Sequence, residues 1–482
     1  MWARRRVPSV GLMEKSPTTK TKKNPLGERA VVVGASMAGL CAARALSPRF
    51  GEVVVLDRDE LPDAPVPRTR VPQGRQPHLL LTAGARALEE WFPGLTAELL
   101  AAGAVDLDLC GDFFWHQDGD VQRRPDSALR GPAMSRPLLE HSVRQRVLRL
   151  SNVEIRPGAT VTGLTAGDGA SRVTGVRLED GSELGADLVV DASGRQARTL
   201  RWLENLGYRS PEVSVVEVNT TYVSRRLRRA PEESREWKAA AVIGDQETRR
   251  LGMALPIEED QWIVLLGGLN GEAAPTDEVG MLAYARMLES PEIADLIQAC
   301  EPTGPVVTHH FPTNQRRHVE KLRRFPLGWV PLGDAVSSFD PIYGQGMTSA
   351  VQQAQALAAC LDRSWGLDRA FSRAYFKAAA RVVAVPWSIA VGGDFVYPGT
   401  VGKKPFGTDM LNRYTAKVTL AGQRDDAVVV RFNEVISLVR APESLLSPLF
   451  MARVLTQARR VRRDRRRVKF TPRRSRSAAG RR

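Results

Sequence analysis

The chain has 482 residues, 43% of them hydrophobic and 26% charged, which excludes a wholly disordered, collagen-like or multi-span membrane protein and leaves room for two or three domains. The net charge of +15 would suggest an anionic macromolecular partner, but its distribution says otherwise. Residues 1–29 and 453–482 hold 8 and 14 basic side chains against 2 and 1 acidic ones, so residues 30–452 stand at −4 and no specific nucleic-acid binding is expected of the body. Residues 1–28, rich in Pro, Thr and Lys, read as a disordered basic leader. No signal or spanning run follows Arg4, Arg5 and Arg6, so a soluble cytoplasmic protein is expected. Cys41, Cys110, Cys300 and Cys360 lack C-x-x-C spacing and read as reduced, buried thiols with no metal site.

Structure begins abruptly at AVVVG (30–34), a β-branched run ending in glycine, followed by the helix-forming MAGLCAARAL (37–46) and a second buried strand, VVVLD (53–57). Strand, helix and strand within about 30 residues is the βαβ unit of a parallel sheet. Residues 161–184 alternate as a hairpin turning at Glu179, Asp180 and Gly181, and ADLVVD (186–191) is another buried strand. Residues 213–269 are mostly strand-like and 279–297 helical, which marks a separate sheet domain. The apolar GWVPL (328–332) leads through a glycine-rich turn into a long helix over 346–361. Residues up to about 460 are mainly helical, with breaks expected at Pro386, Pro398, Pro405, Pro442 and Pro448.

Two places carry chemistry. In GASMAG (34–39), Gly34 permits a tight turn, small Ser36 lets the backbone approach a pyrophosphate and Gly39 allows close helix packing. The helix that follows offers free N–H groups to phosphate, and Asp57, 23 residues after Gly34, is placed to accept from a ribose. In GDAVSSFDPIYGQGMTSA (333–350), Gly333 and Asp334 stand at the carboxyl end of a strand, where Asp334 can hold a polyol hydroxyl. Gly344 and Gly346 open a helix whose dipole favours a negatively charged ring edge. A cofactor with pyrophosphate at one end and a polyol and redox ring at the other is FAD rather than NAD.

These segments, with DASGRQAR (191–198) between them, resemble the three fingerprints of the FAD-dependent monooxygenase superfamily, the group of para-hydroxybenzoate hydroxylase and squalene epoxidase, over roughly residues 28–460. PRTRVPQGRQPH (67–78), WLENLG (202–207) and the Gly344-to-Gly346 turn look like bacterial FAD epoxidases of polyether pathways. The resemblance implies an α/β fold: a Rossmann-like FAD-binding domain (29–105, 131–205 and 309–375), an inserted β-rich substrate domain (106–130 and 206–308), a helical C-terminal region (376–460) and a basic tail (461–482). It adds Met37, Ala38, Arg58, Asp191, Gly194, Pro341, Gln345 and Met347 to the cofactor residues, with Arg68 at the pyrophosphate and Arg136 beside the ribityl chain. It also implies an oxygen from O₂ inserted, by epoxidation or hydroxylation, into a lipophilic small molecule, with electrons from NAD(P)H or a partner flavin reductase; the same motifs would serve an isoprenoid double-bond reductase or a halogenase, and a non-catalytic basic-tailed binding protein is the remaining alternative. The flavin then carries the chemistry, and no catalytic side chain is assigned. His309 and His310, adjacent on a strand, are not expected to act as ligands or base, and Trp262 reads as core. The tail, without interleaved aromatics, reads as a solvated segment capable at most of peripheral membrane contact.

Overall fold

The structure, a computed structural model, describes residues 25–230 and 235–470, so most of the expected leader and residues 471–482 of the expected tail lie outside the described residues. Five parallel strands form the first sheet, in the order Trp329–Pro331, Leu188–Asp191, Gly27–Val33, Phe50–Leu56 and Val153–Arg156. Their central residues are covered on both faces, which is why they read as unbroken apolar runs: Ala30, Val31, Val32, Val53, Val54, Val55 and Val189 are fully buried. Helices Met37–Leu46 and Gly346–Arg363 pack against each other beside this sheet. The expected hairpin forms a small antiparallel sheet of Val161–Ala166, Val173–Leu178 and Glu183–Gly185.

The second large sheet is antiparallel through Val307–Arg317, Val213–Arg228, Gln261–Gly268, Arg250–Ile257 and Ala239–Ile243, and Phe113–Gln117 joins its far side in parallel. A boundary at residue 309 therefore falls inside a strand of this sheet. Helices Glu278–Ala285 and Glu292–Ala299 cover one face, where Trp262 is buried against Trp237 as core. The single helix expected over 279–297 is split because Pro291 lacks an N–H and disfavours helical backbone before it.

Proline behaves differently at residue 386. The helix Arg369–Asp394 runs straight through Pro386, against the expected break. A proline inside a helix costs about 3 kcal/mol, and here the flanking Val383 and Ala390 are fully buried with Val336 and Phe339, which offsets it. By length and composition this is the one helix among the described residues able to cross a membrane, yet Tyr375 and Ala379 are fully buried in the core beside the parallel sheet. Pro448 opens rather than breaks a helix, Pro448–Phe470. Its Val454, Ala458 and Val461 are buried, Arg424 pairs with Asp464 at 2.6 Å, and Arg465 donates to the Asp118 carbonyl at 2.6 Å. The expected solvated tail therefore starts no earlier than the end of this docked helix: the arginines hide a stripe repeating at helical spacing.

Candidate functional site

Both glycine segments open onto one cavity of about 1880 Å³. At its first end the strand Gly27–Val33 stops at Gly34, whose φ of +105° and closeness to the Ala192 carbonyl (2.5 Å from an added Cβ) exclude other residues. Ser36 starts the helix without a side-chain cap, so the first-turn N–H groups are free toward the cavity. Gly34, Ser36, Met37 and Ala38 line it; Gly39 instead packs beneath the turn, where a Cβ would stand 1.7 Å from the Gly34 carbonyl.

The acid at the end of the second strand holds this turn. Asp57 Oδ2 accepts from Ala35 N at 2.6 Å, and Oδ1 accepts from Asp59 N at 2.9 Å and from Arg68 at 2.6 Å. A carboxylate offers about four acceptor sites, so one remains for a ribose. Arg68 is 6% exposed and also meets Asp59 at 3.1 Å and Glu140 at 2.9 Å. Burial alone would lower its pKa, but Asp57 and Glu140 outweigh it and fix the charge. Arg68 lines the cavity, yet its first partners are three carboxylates rather than open space, which the sequence reading did not foresee. Glu140, also missed, accepts from Ser36 Oγ at 2.7 Å, and Arg136 donates to the same Ser36 Oγ at 2.7 Å. Arg58 is exposed at the rim, and Arg70 reaches Asp59 at 3.6 Å.

The other expected residues divide. Asp191 is buried away from the cavity and accepts from Ser193 N at 3.0 Å and Ser193 Oγ at 2.6 Å; it shapes the turn that presents Gly194 and Arg195. Gly333 packs on Ala38, while Asp334 faces the cavity with no side-chain hydrogen bond among the described residues. Burial raises the Asp334 pKa, opposed by Arg136, Arg195 and Arg317. Pro341, Gly344, Gln345, Gly346 and Met347 form the next wall. A Cβ on Gly344 or Gly346 would meet nothing within 4 Å, and the buried Gln345 Oε1 has no partner.

Beyond that wall the cavity lining mixes apolar side chains, among them Trp115, Leu255, Leu265 and Phe432, the last from the C-terminal helices, with polar ones such as Asp245, Glu247, Asp409 and Arg413. His309 and His310 both border it: His309 stacks on Tyr222, and the His310 ring lies 3.3 Å from Thr221 Oγ1. His78 Nδ1 donates to the Gln76 carbonyl at 2.9 Å, leaving Nε2 as an acceptor, and burial, Arg136 and His309 push its pKa down to about 3. No group of three or more potential metal ligands occurs among the described residues, and no disulfide joins the four cysteines; Cys41, Cys110 and Cys360 are buried as expected, whereas Cys300 is only half-buried.

No family model matches the chain. It is 37% identical over 389 residues to Protein Rv3254 of Mycobacterium tuberculosis, covering 77% of this chain and 81% of that one. It is 27% identical over 383 residues to kynurenine 3-monooxygenase of Salinispora arenicola, covering 73% and 76%. Its fold matches PqsL, a probable FAD-dependent monooxygenase from Pseudomonas aeruginosa, with a TM-score of 0.58, 21% identity and coverage of 77% and 99%. The chain has the fold of the FAD-dependent monooxygenase superfamily, and its sequence is similar to that of a kynurenine 3-monooxygenase. The site fits the cofactor of this superfamily: free N–H groups at one helix start, the unpaired Asp334 carboxylate, the orphaned Gln345 Oε1 and the open faces of Gly344 and Gly346 each lack the partner that FAD would supply.

Proposed function

We propose that the chain inserts one oxygen atom from O₂ into a lipophilic small molecule, by epoxidation or hydroxylation, in the cytoplasm. The observation that carries this is the cavity itself: one end suits a dinucleotide, the other includes an apolar wall of Trp115, Leu255, Leu265 and Phe432, and its volume of about 1880 Å³ exceeds the roughly 300–1,000 Å³ that a single small ligand needs. FAD, reduced by NAD(P)H or by a partner flavin reductase, supplies the electrons that activate O₂. The protein does the rest. Ser36, Met37 and Ala38 present N–H groups to the pyrophosphate, with Arg136 nearby, and Asp57 and Asp334 accept from the ribose and polyol hydroxyls. The helix starting at Gly346 directs its positive end at the redox ring, favouring negative charge there. Trp115, Leu255, Leu265 and Phe432 keep water from the reacting oxygen and hold the substrate beside it. The local likeness to polyether-pathway epoxidases favours an alkene as the acceptor.

The test begins with FAD. Purified protein should carry it, and Asp334→Ala should weaken its retention by about 0.5–1.5 kcal/mol, a loss of roughly 2- to 12-fold in affinity. With ¹⁸O₂ and a lipophilic polyene or aromatic substrate, the product should gain one labelled oxygen. Label from water, chloride-dependent halogenation, or anaerobic gain of two hydrogens would each replace the proposal with another flavin chemistry, and a protein that takes up no FAD would remove it.

A further inference from the structure

One cluster of titratable groups on the cavity wall is not used by the cofactor segments. Asp340 lies in the turn before Pro341, and Asp394 ends the helix Arg369–Asp394. Asn314, from the strand Val307–Arg317, ties them: its Oδ1 accepts from Asp340 N at 2.7 Å and its Nδ2 donates to Asp394 Oδ2 at 2.5 Å. Neither carboxyl has an ion pair among the described residues.

The two acids differ. Asp340 accepts from Thr220 Oγ1 at 2.8 Å, Ile342 N at 3.2 Å and the Tyr222 hydroxyl; Thr220 and Tyr222 reach it together because residues two apart on a strand share a face. Burial raises the Asp340 pKa, and the three donors oppose that shift by favouring the anion. Asp394 sits at the negative end of a helix dipole, beside Asp340, and among the described residues only Asn314 and the Tyr343 hydroxyl, which donates to its Oδ1 at 2.9 Å, are side-chain partners of its carboxyl. Burial and then Asp340 push its pKa well above the ordinary carboxylate value. The titratable groups facing it are Asp340 and Tyr343 from the turn, Tyr222 from the sheet and Tyr397 just past its own helix, none of them a cation.

We propose that Tyr343 and Asp394 form the polar anchor of the substrate cavity, a hydrogen-bond donor that receives a carbonyl or similar acceptor oxygen of an otherwise apolar substrate. A protonated carboxyl is itself a donor. Asn314 occupies Oδ2, and the Tyr343 hydroxyl donates to Oδ1 while the acid is ionised; protonated on Oδ1, the acid donates back to the phenol oxygen instead and frees the phenolic hydrogen for a ligand. The placement is built into the backbone: a Cβ on Gly393 would stand 2.3 Å from the Tyr343 hydroxyl, so glycine alone lets the phenol lie there. Tyr343 immediately precedes the Gly344-to-Gly346 turn, so an oxygen held there lies at the junction of the cofactor wall and the substrate chamber. The anchor deepens the monooxygenase reading and rests on it for the identity of the chamber's occupant.

The experiment uses the full-length, FAD-loaded protein and two matched probes, 2-acetonaphthone and 2-ethylnaphthalene, with binding followed by perturbation of the flavin visible spectrum. At pH 7 the ketone should bind at least about tenfold more tightly, in line with one hydrogen bond to an otherwise buried acceptor. Tyr343→Phe should bring the two affinities within about twofold while leaving flavin content and ethylnaphthalene affinity unchanged. Asp394→Asn, whose amide donates to the phenol as the acid does, should keep the preference and hold it at alkaline pH, where the wild type loses it. Absence of a ketone preference, an undiminished preference in Tyr343→Phe, or Asp394→Asn behaving as Asp394→Ala would overturn the anchor. Failed ¹⁸O incorporation with the preference intact would instead sink the monooxygenase reading alone.

Discussion

At the glycine-loop end of the cavity, the groups that face a ligand are N–H groups and spaces left by missing side chains, set by residues 34–57. At the opposite end they are side chains from several distant segments, Tyr222, Asp340, Tyr343 and Asp394, tied together by hydrogen bonds through the buried Asn314. The first arrangement is rigid and fits any chain that must hold a dinucleotide. The second depends on which segments the fold happens to bring together, so it is where individuality of substrate can reside. Glycine substitution should separate the two most sharply. Gly39→Ala puts a Cβ 1.7 Å from a backbone oxygen and should cost more than about 4 kcal/mol, with soluble folded protein largely lost. Gly346→Ala meets open space, so the denaturation midpoint of the apoprotein should hold or rise slightly, since alanine is the better helix former, while FAD retention falls. Equal destabilisation by both would erase the distinction.

Next in size is Arg68, which belongs to the rigid end. Arg68→Ala removes the cation shared by Asp57, Asp59 and Glu140, leaving Asp57 with no ion pair among the described residues and Asp59 and Glu140 with only the longer 3.6 Å contacts to Arg70 and Arg136. Breaking a buried pair in this way costs about 3–5 kcal/mol. Urea titration of the apoprotein should show that loss, and a change under about 1 kcal/mol would mean the cluster is wetter than its 6–8% side-chain exposure implies.

The sequence made the first end legible because its constraints are local: a strand, a glycine turn, a helix and an acid 23 residues on follow from steric and capping rules that leave marks in single residues. The partners of Arg68 were not legible, since Glu140 lies 72 residues away and sits in an ordinary helix. Asp191 carried the family pattern yet turned inward to shape its own loop. The Asp340 and Asp394 pair had no signature at all; Asn314 stands 26 and 80 residues from its two partners, and only the strand register places it between them. Pro386 misled because local propensity gave way to packing against Val336 and Phe339.

A pH titration probes the ground between the two ends. His78 has a folded pKa of about 3 against an ordinary 6.5, caused first by burial and then by Arg136 and His309. Between those values the unfolded chain binds one proton more than the native state, so stability falls as pH drops below 6.5. His78→Gln, which cannot take up that proton, should show a shallower decline in urea midpoint from pH 7 to pH 4.5. Parallel declines in the two proteins would assign the acid sensitivity elsewhere.

The smallest effect is expected at the end of the C-terminal helix, none of whose residues lines the cavity. A chain stopped after residue 470 keeps the docked helix and should match the full-length protein in flavin content, and in stability within about 0.5 kcal/mol, because residues 471–482, TPRRSRSAAGRR, offer no large apolar side chain to bury. A chain stopped after residue 460 loses buried Val461, the Arg424 pair with Asp464 and the Arg465 bonds to the Asp118 carbonyl and Gln423, so it should lose about 2 kcal/mol while retaining its flavin. The body beyond these ends is net acidic, so any salt-sensitive binding to DNA or anionic vesicles should decline stepwise with the arginines removed, residues 1–24 included, and not with flavin content. Tight, salt-sensitive binding by a chain of residues 25–460 would place the electrostatic surface on the body instead of on the arginines of the two ends.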